Sequence, residues 1–476
     1  MGQQHGVLAR TAGAEPALAY YPAMPSRVLL GDVGGVAGAL GRLGLGAAAR
    51  LALGPFARLA PGAAAPLATM ALRGAQPACS TVMTWGPGSE GGAVRFARNF
   101  DFFGVGVWDA APALVLCRPR HGQAYGFVTT RGVDAPVVTV FNQAGLVIAP
   151  HTRFHRDVRW GGAAIVDLVH ELGQHATSLA EAERIVRARP VSSTWGIAVA
   201  SAAEQRGCVF EVNGARVERV DPAPGQHHLT CANRYRHPAM QGGEIAASPA
   251  WALHSDQRER RLHALAEAAE AGGGASARDL ARMLGDRRDP DDPDRVRHAG
   301  AIVAQASNVH ACVVEPGARR LYLGVDAAPT CEGRWLEVSW DWDGPAGSWE
   351  LGRPEVGPGT GGFVLRELTA WAEPHDGTTV ALHQAARAHE AGDDRAFAGA
   401  LELAVALAPR DPSLRLLATW AQHRVGQAER ALAHAEAGLA DEVVAYRRTQ
   451  LTTWAEVARA GGARRPSINL ALVDAY

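Results

Sequence analysis

Few side chains in this sequence are suited to covalent chemistry at neutral pH, and Cys79 is the most suggestive of them. It opens a β-type run, Cys79-Ser80-Thr81-Val82-Met83, and the segment Arg98-Asn99-Phe100-Asp101 follows, with Arg98 19 residues and Asp101 22 residues downstream. A thiol is a weak nucleophile until ionised, and its ordinary pKa is about 8.5. A cysteine with a nearby base can attack a carbonyl and hold the acyl group as a thioester. Each piece also has an ordinary reading, Cys79 as a packed core thiol and Arg98–Asp101 as a simple ion pair. The other cysteines, Cys117, Cys208, Cys231, Cys312 and Cys331, are scattered and form no CxxC. That pattern speaks against a zinc ribbon or a dense disulfide framework. Five thiols left beside one nucleophile is an odd number for a fully paired secreted protein, which favours a reducing, cytoplasmic (bacterial) setting.

Other candidate motifs fail on spacing. His170-Glu171 with His175 imitates a zinc-protease helix, but that site needs histidines at i and i+4. His227, His228 and Cys231 lie close together, yet strand alternation separates the two histidines and no second ligand pair is evident. Gly104-Val105-Gly106 lacks the third glycine of a dinucleotide site. The chain contains no Lys at all, which removes P-loop and Schiff-base chemistry. No metal or cofactor is therefore expected. The 47 basic and 48 acidic side chains nearly cancel, which argues against a nucleic-acid partner.

Taken in order along the chain, the Cys79 segment and four others resemble the N-terminal-nucleophile (Ntn) hydrolases. The resemblance is to the branch with isopenicillin-N acyltransferase, the choloylglycine hydrolases and acid ceramidase. Phe141-Asn142-Gln143-Ala144-Gly145-Leu146 looks like the family's Asn-x-x-Gly-Leu turn. Leu229-Thr230-Cys231-Ala232-Asn233-Arg234-Tyr235 looks like its Thr-Asn-His segment, with Arg234 where His is usual. Ser255-Asp256-Gln257-Arg258 with Arg261 resembles its Ser-x-x-Arg-x-x-Arg helix, and Ala304–Pro316 with Leu321–Pro329 its closing strand pair.

The resemblance implies a four-layer αββα sandwich within an α+β fold. It also implies autoproteolysis between Ala78 and Cys79, which frees an α-amino group to act as base, with a reference pKa of about 7.7–8.0. Asp101 would hold that amine, and Arg98 would steady the thiolate. Asn233 through its side chain and Asn142 through its backbone N–H would donate to the oxyanion, and Arg258 would brace the network. The implied substrate is a small-molecule linear amide, cleaved at its C–N bond. The alternatives are acyl transfer to an amine from a thioester such as acyl-CoA as co-substrate, and an inert scaffold that works through its C-terminal helices.

The elements that must position these residues are legible in outline. Strands are expected at Cys79–Met83, Ala93–Phe96, Ala113–Leu116, Ala124–Thr130, Val137–Phe141 and Leu146–Ala149. Two helices follow over Ala163–Ala188, with Thr177-Ser178 as a cap signal. Strands return at Gly196–Ala200, Cys208–Val212 and Ala215–Val220. A helix is expected over 255–271, a solvated turn over 286–295, and two final strands over His310–Glu315 and Arg319–Val325.

Four regions result. Residues 1–78 form an Ala/Gly/Leu-rich prosegment with regularly spaced Arg; membrane contact there stays open, since no standard signal peptide or spanning run appears. Residues 79–342 form the catalytic domain, 343–377 a Gly/Pro-rich linker, and 378–476 a tetratricopeptide (TPR)-like helical domain with a protein partner in view. Ala400–Ala408 and Ala431–Ala440 resemble each other, which is the basis of the repeat reading. The linker predicts a separable helical module, so that a chain ending near Pro358 should fold.

Overall fold

The computed structural model describes residues 78–461, except 103–104, 132–134, 137, 160–161, 246–248, 345, 352–362 and 370, together with 468–469 and 474–475. The expectations for 1–77 lie outside the described residues. The fold is α+β, built on two antiparallel sheets.

The first sheet takes its strands in the order β10-β1-β2-β13-β14-β15-β17. These are β1 (Ala78–Gly86), β2 (Gly92–Asp101), β10 (His228–Cys231), β13 (Asn308–Glu315), β14 (Arg320–Gly324), β15 (Trp335–Trp340) and β17 (Phe363–Leu368). The second runs β16-β3-β4-β5-β6-β7-β8-β9. Its strands are β3 (Pro112–Cys117), β4 (Tyr125–Thr130), β5 (Thr139–Asn142), β6 (Leu146–Thr152), β7 (Trp195–Ser201), β8 (Arg206–Val212), β9 (Val217–Val220) and β16 (Gly347–Glu350).

Strand alternation assigns the faces. Cys79, Met83 and Trp85 of β1 join one apolar cluster with Phe96 and Phe100 of β2 and with Val147 and Ala149 of β6, which fills the space between the sheets. Leu146 and Ile148, one residue out of phase, pack against α1 (Ile165–His175) and α2 (Leu179–Ala188) on the far side of the second sheet. Ser178 caps α2, accepting from the Glu181 N–H at 3.1 Å, where the sequence placed the cap. On the far side of the first sheet, Val82 and Ala97 pack against α4 (Pro249–Ala271) and α5 (Ala277–Leu284). A one-turn helix, α3 (Pro238–Gln241), precedes α4.

Five helices follow: α6 (Gly377–Ala391), α7 (Asp394–Leu407), α8 (Pro412–Arg424), α9 (Ala428–Asp441) and α10 (Ala445–Arg459). No described helix is long and apolar enough to cross a membrane.

Two expectations need correction. The 343–377 segment is not merely a linker, because β16 pairs with β3 and β17 with β15, so it supplies an edge strand to each sheet. Gly and Pro suppressed the strand signal there. Residues 286–295 turn in solvent as expected, but they are not only a turn. They hold the hairpin β11 (Arg288–Asp289) and β12 (Asp292–Val296), with Asp289 fully buried. Asp289 reads as solvated with the rest of the run only while its partners, Arg297 and Arg447, stay unseen.

The helices are also not loosely attached. Ala381, Phe397, Leu401 and Trp420 belong to the same continuous apolar cluster as Cys79 and Phe100. Arg297 makes a bidentate ion pair with Glu442 at 2.8 Å for both bonds, and both side chains are almost completely buried. His298 donates its backbone N–H to Asp411 at 2.8 Å. These contacts argue against the separable-module expectation.

Candidate active site

Cys79 is the second residue of β1 and 1% exposed. Its side chain faces the inter-sheet space. Strand register sets Phe100 opposite Cys79 and Arg98 opposite Thr81, so Arg98 reaches diagonally along the same face. Arg98 Nη2 donates to Cys79 Sγ at 3.3 Å and also to the carbonyl oxygen of Pro150. Burial pushes the Cys79 thiol up from its ordinary value, while the guanidinium of Arg98, by charge and by hydrogen bond, pulls it back down.

The backbone of Cys79 is held from the other side. Its N–H donates to Asn233 Oδ1 at 2.9 Å, and its carbonyl accepts from Arg258 Nη1 at 2.8 Å. Arg258 reaches down from α4 and also donates to Ser80 Oγ at 2.6 Å and to Asn233 Oδ1 at 2.9 Å. Two donors converge on that one oxygen, which fixes the orientation of the amide. Asn233 Nδ2 donates to the Thr152 carbonyl at 3.0 Å, and the Asn233 N–H donates to Ser255 Oγ at 2.9 Å. An amide nitrogen carries two hydrogens, so Nδ2 retains one further hydrogen for another acceptor.

Asp101 ends β2, opposite Ala78 in register. Its Oδ1 accepts from Asn308 Nδ2 at 3.0 Å, while its buried Oδ2 has no hydrogen-bond partner among the described residues. Burial raises its carboxyl to about 7, against the opposing pull of Arg258, Asn308 and Arg98.

Cys79, Arg98, Asp101, Asn233 and Arg258 thus come together. Asn142 does not join their hydrogen bonds. Its Nδ2 donates to the carbonyls of Gly173 and Ala176 at 3.2 and 2.8 Å, and its Oδ1 accepts from the Leu146 N–H at 2.9 Å. Those bonds pin the β5–β6 turn to the end of α1. Arg234 turns away to Glu244 and Asp256, each at 2.9 Å. Arg261 clamps Asp286 at 2.9 and 2.8 Å.

Three site residues were missed by the sequence reading. The β6 strand continues past Pro150 and delivers His151 and Thr152, whereas the expected strand stopped at Ala149 because a proline followed. His151 Nε2 lies 2.8 Å from Thr81 Oγ1. Burial, with Arg98 next in effect, holds its ring well below its usual pKa and therefore neutral. Asn308, which holds Asp101, offers no local signal, because an Asn at the start of a strand reads as a turn residue.

The arrangement suits acyl transfer. A thiol sits against a cation, its own backbone nitrogen is gripped, and Asn233 Nδ2 has a second hydrogen to donate.

No family model matches the chain, and no curated relative matches it. Among solved structures it is similar to the Caenorhabditis elegans ortholog of N-acylethanolamine-hydrolyzing acid amidase (15% identity, TM-score 0.34, covering 57% of this chain and 100% of that one). It is also similar to a mutant of the conjugated bile acid hydrolase from Clostridium perfringens (11%, TM-score 0.36, 58% and 97%). A third is penicillin V acylase from Agrobacterium tumefaciens (14%, TM-score 0.31, 52% and 83%). At such distance the chemistry rests on the geometry above.

Proposed function

We propose that this chain is a cysteine hydrolase of the Ntn type, activated by its own cleavage before Cys79 and acting on a linear amide C–N bond. Its two facing sheets with helices on both outer sides fit an αββα layering. In the maturation step, Cys79 Sγ attacks the Ala78 carbonyl carbon and the Ala78–Cys79 C–N bond breaks, leaving a thioester. Water hydrolyses that thioester, releasing a carboxylate on Ala78 and an α-amine on Cys79.

In turnover, the amine takes the thiol proton and Sγ attacks the substrate carbonyl. The oxyanion is met by the remaining Asn233 Nδ2 hydrogen. The proton passes to the leaving amine, and water then releases the acyl group and restores the thiol. Thr152 and Arg258 hold Asn233 at the angle this requires.

The observation that carries this reading is Asp101. A fully buried carboxylate oxygen without a partner, as Asp101 Oδ2 stands among the described residues, is costly, about 1–3 kcal/mol or more. Here it belongs to the residue facing Ala78 across the register, and an ammonium on Cys79 would give it a partner.

The C-terminal helices fit a TPR-like pairing, since α7 and α9 start at Asp394 and Ala428, an offset that matches the repeat's period of about 34 residues. The test of function is amine release from a panel of N-acyl amides by the wild-type chain and by Cys79→Ala. Release by wild type and none by the variant is expected. Equal release by both would remove Cys79 from the chemistry.

A further inference from the structure

The helix that carries Arg258 is tied to the C-terminal helices through buried charge. On α4, Gln257 is buried, and its Nε2 donates to Asp291 in the turn of the β11–β12 hairpin. The Asp291 N–H donates to Asp289 Oδ1 at 2.8 Å. Asp289 Oδ2 in turn meets both Arg297, from the far end of the hairpin, and Arg447 of α10. Glu442 closes the ring, bidentate to Arg297 and 3.4 Å from Arg447 Nε. Asp289, Arg297, Glu442 and Arg447 are each no more than 1% exposed.

A charge tetrad sealed in this way is a poor source of net stability, because desolvation offsets the attraction. It does fix geometry, since each member is held by at least two partners. The connection runs unbroken: Arg447 to Asp289, Asp289 to Asp291, Asp291 to Gln257, and Gln257 next to Arg258 in the chain. His254, one turn before Arg258 on α4, is fully buried and kept neutral by burial, with Arg447, Arg258 and Arg297 adding to the effect. The tetrad's two cations are therefore felt within one turn of Arg258.

We infer that Arg447 is a positioning residue for the reaction: through Asp289 and the β11–β12 hairpin, the C-terminal helices hold α4 so that Arg258 grips the Cys79 carbonyl and Asn233 Oδ1. This rests on the reading of Cys79 as the nucleophile. The C-terminal helices would then complete the active-site framework. A misplacement on the order of 1 Å far from the reacting atoms can cost about 10²-fold in rate.

The test uses the full chain with Arg447→Met, and with Arg459→Met as control, since Arg459 pairs with Glu436 on an exposed part of the same helices. The measurements are thermal melting, kcat and KM for the best amide, and the pH profile of iodoacetamide labelling at Cys79. For Arg447→Met a cooperative melt is expected, with kcat lowered about tenfold or more, KM changed far less, and a displaced labelling profile. Arg459→Met should match wild type in all three. Should Arg447→Met fail to fold, Asp291→Ala breaks the same path at its partly exposed end and should give the same kcat loss and displaced profile. Wild-type kcat with an unmoved profile in a folded Arg447→Met or Asp291→Ala would overturn the inference, as would a loss that only follows the folded fraction. Failure of the underlying function would show separately, as wild-type chain that neither labels at Cys79 nor releases amine.

Discussion

The backbone N–H of Cys79 donates to Oδ1 of Asn233 at 2.9 Å although 154 residues separate the two. The bond joins β1 to the loop after β10, its neighbour in the sheet. It also singles out the one nitrogen that becomes an amine if the chain is cut there. Arg258 reinforces the bond by donating to the same oxygen and to the Cys79 carbonyl, so position and charge at Cys79 are set together.

Asn233→Ala should therefore act twice. It removes the amide hydrogen available to the oxyanion, which predicts a fall in kcat of about 10²–10³. It also leaves the Cys79 N–H and one Arg258 donor without a buried acceptor, about 1–3 kcal/mol each. Steady-state kinetics beside a denaturant melt separates the two effects. A variant within a few-fold of wild-type kcat would remove Asn233 from the oxyanion role.

Asp101 predicts a pH-dependent stability. Its folded carboxyl titrates at about 7 because of burial, above the unfolded value of about 3.9. Well below pH 4 both states are protonated. As pH rises to 7 the unfolded chain ionises while the folded one keeps its proton, so stability falls, by on the order of 4 kcal/mol in full, and then levels off. In a Cys79→Ala background, which keeps the chain uncut, adding Asp101→Asn should raise the melting temperature at pH 8, with the gain vanishing toward pH 4. A gain that is equal at both pH values would mean that the carboxyl is not held neutral.

Thiol labelling should single out Cys79. Burial raises Cys208 and Cys231 to about 12 and Cys312 to about 11, and drives Cys331 well above its ordinary value. Cys79 is raised too and shares with Cys231 an arginine at its sulfur, but a cut before Cys79 would give it alone an adjacent amine. Peptide mapping after brief iodoacetamide treatment should find Cys79 modified first, with activity lost in parallel. First modification at Cys117 or Cys312, with activity lost, would shift the assignment.

Much of the core was legible because strands buried on both faces read as short continuous apolar runs and helices announce their caps. Leu146–Ala149 and Ser178 are examples. The site was legible only where residues cluster in sequence, as in Arg98–Asp101 and Ser255–Arg258. What stayed hidden depends on partners distant in the chain. Asn308 matters only through Asp101, and Asp289 reads as a surface charge until Arg447, 158 residues away, is seen against it. Asn142 was given an oxyanion role for its backbone N–H on a motif; its side-chain amide does a separate job at the end of a helix. A strand turn next to an active site carries structural polar groups as readily as catalytic ones.

A chain ending at Pro358 should fail. Truncation strips Glu442 and Arg447 from Arg297 and Asp289, and breaking a buried pair costs about 3–5 kcal/mol, a large share of a typical domain's stability. It also exposes the apolar surface under α6–α8. The soluble fraction and the cooperativity of melting report the outcome. A soluble, cooperatively melting, self-cleaving truncation would mean that the helices are dispensable.

The most direct measurement of the central claim is the intact mass and N-terminal sequence of the purified full chain, taken beside Cys79→Ala. The account predicts a polypeptide beginning at Cys79 in the wild type, and an uncut Ala78–Cys79 bond in the variant. A wild-type chain that turns over amides at full rate with that bond intact would contradict it.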